Sequence, residues 1–481
     1  MALNLPFRKI PTEPSIPREY SVTVYKDNNY YAKDENGNII CINSPTACIQ
    51  EAVDSLSGKG GGTVILKSGL YKLSRGITLK EKVSLIGEGI HSTRLVPNDN
   101  FTGDYMITFT RESNIWDYAW WRRIMDIFIH GMDRVKHGIY APDDLRMGAL
   151  IIERVTIKDM VETGIYQGKG NGVWYIRDVS IYGQGLYGIY MKNTGDSHYE
   201  NIEVCCYAKG IFAEGLYTSV FIDNRIYTAK ERSDVADSGT GMHLKTSYDI
   251  RILGDRYNHN DVVGLLISDG SAGISVVGVH TEENGYKCRT NPCYGSGIKV
   301  VNGFNVSIIG CEARADYGST VQIIGGRGNI VEGCVVRSPC RSTDLQPDCR
   351  AFDFYDTYDL VVKNCHTLDF RNPPVTKWGF RFDRVYNLVY DGLLSYGYRD
   401  SVVYITNSRL RRNSGIATIR ASSTRVTVYH SLISNPSKVL ITPLSQPPGK
   451  LWIENITNTT FDIVTDTAPT NDINIAWYAE V

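Results

Sequence analysis

One short pattern recurs eleven times between Ile124 and Leu394: apolar, any residue, Gly/Asn/Asp, usually apolar, any residue, apolar. The instances are IMDIFI, IERVTI, IRDVSI, YENIEV, FIDNRI, ILGDRY, VVGVHT, IIGCEA, VEGCVV, VKNCHT and VYDGLL. Their third residues are Asp126, Arg154, Asp178, Asn201, Asp223, Gly254, Gly278, Gly310, Gly333, Asn364 and Asp391. All but Arg154 belong to the types that tolerate a left-handed backbone at a tight corner. The steps between them are 28, 24, 23, 22, 31, 24, 32, 23, 31 and 27 residues. A period of roughly 20–30 residues is the mark of a repeat architecture.

Each repeat alternates with period two, so the segments are strands, and no helix-length apolar face separates them. The expected fold is a solenoid of short parallel strands, one coil per repeat, with coils about 4.8 Å apart. The position after the corner reads Ile127, Val155, Val179, Ile202, Asn224, Asp255, Val279, Cys311, Cys334, Cys365 and Gly392. This is an inward ladder that is apolar except at Asn224 and Asp255.

A chain of 481 residues is too long for one ordinary compact core. A solenoid escapes that limit because each coil touches only its neighbours. The net charge of −1 gives no electrostatic case for nucleic acid or an anionic membrane. No run approaches a membrane span, and the N-terminus has no apolar stretch of signal-peptide length. The expected location is extracellular, on a cell surface or on a virion, reached by a route other than a visible signal peptide. Among eleven cysteines, Cys41 with Cys48, Cys288 with Cys293, and Cys340 with Cys349 close short Pro-containing loops. They are expected to be disulfides, which suits an oxidising setting or a hyperthermophile. Cys311, Cys334 and Cys365 read as packed thiols, and the adjacent Cys205 and Cys206 are expected not to bond each other. The spacing is wrong for zinc.

Residues 1–20 are Pro-rich and read as an extended arm, followed by a hairpin over 21–41. Ser44 or Thr46 is a candidate cap for a helix over 44–57 whose apolar face is Ile49, Ala52, Val53 and Leu56. Such a helix would cover the open end of the solenoid. After Arg412 the coil pattern stops, and 413–481 reads as a domain of five or six antiparallel strands. The expected organisation is 1–43 arm and hairpin, 44–412 solenoid with its cap helix, and 413–481 C-terminal β domain.

The run IQEAVDSL, GGTVILKSGLYKL, VSLIGEG resembles the opening of the pectate-lyase-like, right-handed parallel β-helix superfamily. YYAKDENGNII resembles the hairpin ahead of that opening in archaeal and viral β-helix proteins. The resemblance covers roughly 20–412 and implies an all-β, right-handed, single-stranded parallel β-helix. The superfamily includes polysaccharide lyases, polygalacturonases, inulin fructotransferases and phage tailspikes, so it implies a fold far more narrowly than a chemistry. The polygalacturonase motifs and the calcium-binding aspartates of pectate lyases are not found in register. The C-terminal strands resemble small β domains of tail-fibre-like and lectin-like proteins.

The long steps place extra residues at one point of the coil, about 229–240, 284–296, 339–350 and, smaller, 369–377. Loops leaving one corner of a solenoid wall one side of it, and loops on rigid scaffolds carry sites. Two and four positions past the corner lie Arg256, His280, Glu312 and His366, then Tyr227, Asn258, Glu282, Arg314 and Arg337, with Asp316 close by. Glu282 and Glu312 are candidate paired carboxyls for glycoside hydrolysis. Arg256, Arg314 and His280 suit lyase chemistry, which needs a cation for the uronate and a base for its α-proton. The catalytic candidates are therefore Glu282, Glu312, His280 and Arg314. The substrate-binding candidates are Arg256, Asn258, Arg337, Asp316, His366 and Tyr227. Ladders of such residues also arise simply by pairing across strands. No metal or other cofactor is called for, with calcium left open. Two functions fit: a tailspike-type protein that binds and cleaves a polysaccharide or cell-surface glycan, as hydrolase or lyase, or a non-enzymatic adhesin. The expected assembly is a homotrimer with parallel axes.

Overall fold

The computed structural model describes residues 20–111, 122–285, 295–340, 350–372, 374–398 and 401–481. The corner pattern builds a right-handed parallel β-helix whose strands, from Ser21–Lys26 to Arg409–Leu410, pair coil upon coil in one continuous sheet. Ten of the eleven expected corner residues have positive φ, including Arg154 at 50°, where an ordinary side chain tolerates the bend. In the last repeat the corner is Gly392 (φ 62°) rather than Asp391. His366 pairs with Leu394, so the register puts Gly392 opposite Asn364.

Each middle coil has three short strands and hence three outer faces. The first face holds Val220–Ile222, Arg251–Leu253, Ser275–Val277, Ser307–Ile309, Ile330–Glu332 and Val361–Lys363. Past the corner, the second face holds Arg225–Tyr227, Arg256–Asn258, His280–Glu282, Glu312–Arg314, Val335–Arg337 and His366–Leu368. The third holds Lys209–Glu214, Thr240–Lys245, Val263–Ser268, Ser296–Val301, Val321–Ile324 and Arg350–Tyr355. On this face the coils approach closely at a glycine stack. A Cβ on Gly188 would lie 2.6 Å from the Gly210 carbonyl oxygen, and one on Gly210 2.6 Å from that of Gly241.

The ladder after the corner is buried from Ile127 to Cys365. Its two polar members satisfy each other: Asn224 donates from its backbone N and Nδ2 to Asp255 Oδ1 at 2.9 and 3.0 Å. Tyr257 donates its hydroxyl to Asp255 Oδ2. A second buried ladder follows the second-face strands. Asn260 Nδ2 donates to Asn284, and Asn284 Nδ2 donates to Asp316 Oδ1 at 3.0 Å. Burial lifts the carboxyls of Asp255 and Asp316 to about 7, against hydrogen bonds that pull them down.

The helix spans Ile49–Gly58 and buries Ile49, Ala52, Val53 and Leu56, covering the first coil. It starts later than expected. Cys48 takes the cap position in a left-handed conformation, while Ser44 Oγ accepts from Cys48 N at 2.9 Å. The first hairpin strand belongs to the solenoid itself: Ser21–Lys26 pairs in parallel with Gly62–Leu66 and extends the interior with Val22 and Val24. Beyond the helix, two three-stranded antiparallel sheets close around Phe461 and Trp477, while Trp452 stays 37% exposed.

Cys41 and Cys48 are bonded, and Cys311, Cys334 and Cys365 are buried free thiols. Cys340 is disulfide-bonded, whereas Cys288, Cys293 and Cys349 lie outside the described residues. Contrary to expectation, Cys205 and Cys206 are bonded to each other. The positive φ of Cys206 (78°) undoes the alternation that points neighbouring strand residues apart.

Candidate functional site

Nine of the ten candidate residues stand together on the second face. Arg256 pairs with His280 and His280 with Glu312, while Asn258 pairs with Glu282, Glu282 with Arg314, and Arg314 with Arg337. Tyr227 adjoins Asn258, and His366 lies beyond Val335. Glu282 and Glu312 are diagonal neighbours, which in a parallel sheet puts their Cβ atoms about 8 Å apart. Each carboxylate has a cation across the strands: Arg314 lies 3.8 Å from Glu282 and Arg337 3.1 Å from Glu312. Tyr227 donates its hydroxyl to Glu203. These are cross-strand pairs on a solvated surface.

Asp316 is not among them. It is fully buried, accepting from Asn284 N and Nδ2 and from Thr281 Oγ1. Counting by twos from Arg314 places it outside, but Ala315 has φ 54° and the turn sends the next side chain inward. Asp261, also near in sequence, is buried as well.

The first insertion leaves the corner between the second and third faces, at the expected place. Residues 228–239 lean over the third face rather than over the charged columns of the second. Lys230 N donates to Tyr207 O, Gly239 N to Ala208 O, and Arg232 Nη1 to Gln184 O, all on preceding coils. Together they enclose a cleft of about 350 Å³ lined by Tyr187, Lys209, Phe212, Glu214, Asp237, His243 and Lys245 among others. The 284–296 and 339–350 insertions lie largely outside the described residues.

The cleft sits on a row of rings, one per coil. Tyr140 stacks on Tyr166 (5.1 Å), Tyr166 meets Tyr190 edge-on (5.2 Å), and Phe212 follows (5.0 Å) with His243 beyond it (5.3 Å). A parallel, in-register solenoid produces such a row because each outward position repeats at the coil spacing. Carboxylates border it: Asp143 accepts from Tyr166 and Lys192, and Glu214 from Tyr190 and Lys245.

At the cleft floor two titratable groups are buried. Lys209 Nζ donates to His243 Nδ1 at 3.0 Å, which makes Nε2 the protonated nitrogen, donating to Ser268 Oγ at 2.8 Å. Burial lowers Lys209 to about 8. Burial, then the charges of Lys209 and Lys245, lowers His243 to about 3, so the imidazole is neutral. An amine that titrates near neutrality, 4.2 Å above the Phe212 ring, is suited to stabilising an anion or moving a proton. Further along the same face, Asp353 is buried between Gln322 and Arg381. Sequence reasoning missed this face. Its signal was a second repeat, HGIY, TGIY, YGIY, KGIF and TGMH, whose fourth residues are the row of rings.

Among the described residues, no group of three or more His, Cys, Asp or Glu is placed to hold a metal ion, and no helix is long and apolar enough to cross a membrane.

A family model described as "Right handed beta helix region" matches residues 137–288. No curated protein matches the sequence. Three solved structures are similar in fold. The A-module of Azotobacter vinelandii mannuronan C-5 epimerase AlgE4 shares 18% identity over 76% of this chain and 95% of its own, with TM-score 0.53. The Dettilon tailspike protein gp208 shares 11% over 91% of each chain, with TM-score 0.52. The catalytic unit of a thermostable GH87 alpha-1,3-glucanase from Streptomyces thermodiastaticus shares 12% over 74% of this chain and 66% of its own, with TM-score 0.52. With its coil register, corner conformations and family match in agreement, this chain is a right-handed parallel β-helix protein.

Proposed function

We propose that this protein binds a polysaccharide along its third face and cleaves it there, working outside the cell or on a virion in the manner of a tailspike. The observation that carries the reading is the roofed cleft over the row of rings, with Lys209 and His243 buried at its floor. A row of aromatic faces bordered by hydroxyls and carboxylates offers an extended sugar chain apolar platforms and hydrogen-bonding edges at once. Lys209 is the acid–base group in this reading. Neutral His243 accepts its hydrogen bond and orients the amine. Similarity in fold to a tailspike, an epimerase of mannuronan and a glucanase agrees with a polysaccharide ligand without specifying one. The working form is a homotrimer with parallel axes, because a β-helix has three long faces and the one bearing the cleft can stay in solvent while another packs around a threefold axis.

The test is a polysaccharide panel assayed for new reducing ends and for unsaturated uronate absorbance. Lys209→Met is expected to lower cleavage by about a hundredfold or more, the scale of a lost general acid or base. Phe212→Ala is expected to weaken binding. Full activity in Lys209→Met, with loss in Glu282→Gln and Glu312→Gln, would move the chemistry to the second face, where the two glutamates are diagonal neighbours. Glycan binding without cleavage of any substrate would favour the adhesin.

A further inference from the structure

Followed back towards the N-terminus, the outward columns of the second face change character. One runs from Arg225 through Glu203, Ser180 and Thr156 to Phe128, and then to Arg94 and Leu70. The other runs from Tyr227 through Cys205, Tyr182 and Lys158 to His130. On the middle coils these columns pair cation with carboxylate, as Arg225 does with Glu203, Arg314 with Glu282 and Arg337 with Glu312. On the first coils they border a second cleft, of about 270 Å³, and there the pairing stops. Arg94 lies 5.3 Å over the Phe128 ring, and this ring is its side chain's only partner among the described residues. The Lys72 side chain has none among them.

The cleft is built rather than incidental. Buried Val96 and half-buried Phe128 lie at its floor. Its wall at residues 97–99 is braced from both sides. Asn98 Nδ2 donates to Ser74 Oγ at 2.6 Å, and Asn98 Oδ1 accepts from Asn100 N at 3.0 Å. From the opposite wall, Arg134 Nη1 donates to Asp99 Oδ1 at 3.0 Å. His130 has its own counter-charge in Asp159, 2.9 Å from Nε2. Lys72, Arg94 and Arg134 therefore line the cavity against the single carboxylate of Asp99, which leaves two positive charges uncompensated while His130 is neutral. A guanidinium stacked on a ring keeps its N–H edge free and is already oriented for an oxyanion. Exposed Leu70 and Met132 add apolar surface at the rim.

We infer that this cleft binds a sugar unit carrying a phosphate monoester, at a site separate from the third-face cleft and independent of what happens there. The charge fits. A phosphate monoester carries about −1.5 to −2 near neutral pH, which matches the two uncompensated cations. A carboxylate or a sulfate ester carries only one negative charge. The shape fits too. Phosphate oxygens point in several directions, so one can sit on the Arg94 edge while another meets Lys72 from the neighbouring coil. Pockets for drug-sized ligands start at about 300 Å³, so this slightly smaller cavity takes one sugar ring rather than a run of them. Apolar surface at the rim receives the ring face, and Asp99 is placed to accept from a hydroxyl.

The test is a phosphorus NMR titration of glucose 6-phosphate with the full chain. Inorganic phosphate is titrated in parallel, and glucose, glucose 6-sulfate and glucuronate are added as competitors. Saturable broadening of the glucose 6-phosphate signal is expected. Arg94→Gln and Lys72→Gln should each weaken it about tenfold or more, the scale of a lost hydrogen bond to a charged group. Both side chains are exposed, so unchanged circular dichroism is expected of both variants. Lys209→Met, in the other cleft, should bind glucose 6-phosphate like the wild type. No broadening with wild type, or equal broadening in both cleft variants, would overturn the site. Binding lost in Lys209→Met and kept in the other two would move the phosphate to the third face and overturn it as well. Inorganic phosphate bound as tightly as the sugar phosphate would refute the sugar. Equal competition by glucose 6-sulfate or glucuronate would refute the match to a dianion.

Discussion

Asp316→Asn should make the protein more stable, and more so at high pH. Asp316 is fully buried and its carboxyl is lifted from 3.8 to about 7, chiefly by burial. Between those values the folded state holds a proton that the unfolded state has released, so ionising Asp316 opposes folding increasingly as pH rises. The penalty is nearly absent below about pH 4 and complete above about pH 7. At 1.36 kcal/mol per pH unit of displacement, it reaches about 4 kcal/mol at pH 8 and roughly 1–2 kcal/mol at pH 5. An asparagine keeps the Oδ1 acceptor for both Asn284 donors, and its amide can donate to Thr281 Oγ1, which then accepts. It carries no ionisation penalty. Wild type alone cannot show this, because partly buried His137 and buried His243, lowered to about 4 and about 3, act in the opposite sense. Their stability is present above the unfolded value near 6.5 and is lost as pH falls, when the unfolded state takes up protons. The variant-minus-wild-type difference cancels them. Urea midpoints at about pH 5 and pH 8, at matched protein concentration, should give a gain larger by about 2–3 kcal/mol at pH 8. An equal gain at both pH values, or a loss at both, would refute the argument that an ionisable group is buried here at a cost.

Glu282→Gln and Glu312→Gln are expected to leave glycan binding in the cleft unchanged, because both residues pair with cross-strand cations on another face. Affinity electrophoresis alongside Phe212→Ala would check this. Gly210→Ala should destabilise the fold by about 3 kcal/mol, since the new methyl would meet the Gly241 carbonyl at 2.6 Å and Ile226 Cγ2 at 2.2 Å. A wild-type denaturation curve for that variant would contradict the close approach of the coils. Peptide mapping without reduction should find Cys41 linked to Cys48 and Cys205 to Cys206, with Cys311, Cys334 and Cys365 alkylated only after unfolding.

Much of the molecule was readable from its repeats. In a parallel, in-register solenoid each residue's neighbour is the residue one period on. Aligning the eleven segments therefore yields the inward ladder and the outward columns together: Arg256 beside His280, Glu282 beside Arg314. Alternation by twos is a local property of extended chain, and it holds wherever the chain stays extended. It failed where a single left-handed residue intervened. Ala315 turned Asp316 into the core, and Cys206 turned its thiol towards Cys205. Non-glycine residues reach positive φ at such corners because the stacked coils hold them there, which their own preferences do not foretell. The direction of the 228–239 loop was likewise beyond local reading. It is set by hydrogen bonds to Tyr207, Ala208 and Gln184 on preceding coils. That choice moved the candidate site from the charged second face to the third. The buried Lys209–His243 contact and the raised carboxyl of Asp316 arise in the same way, since only packing removes a charge from water. Sequence alone determined the coil, its register and which side chains face in or out along the extended strands. The tertiary structure decided which face became a cleft and which polar groups had to do without solvent.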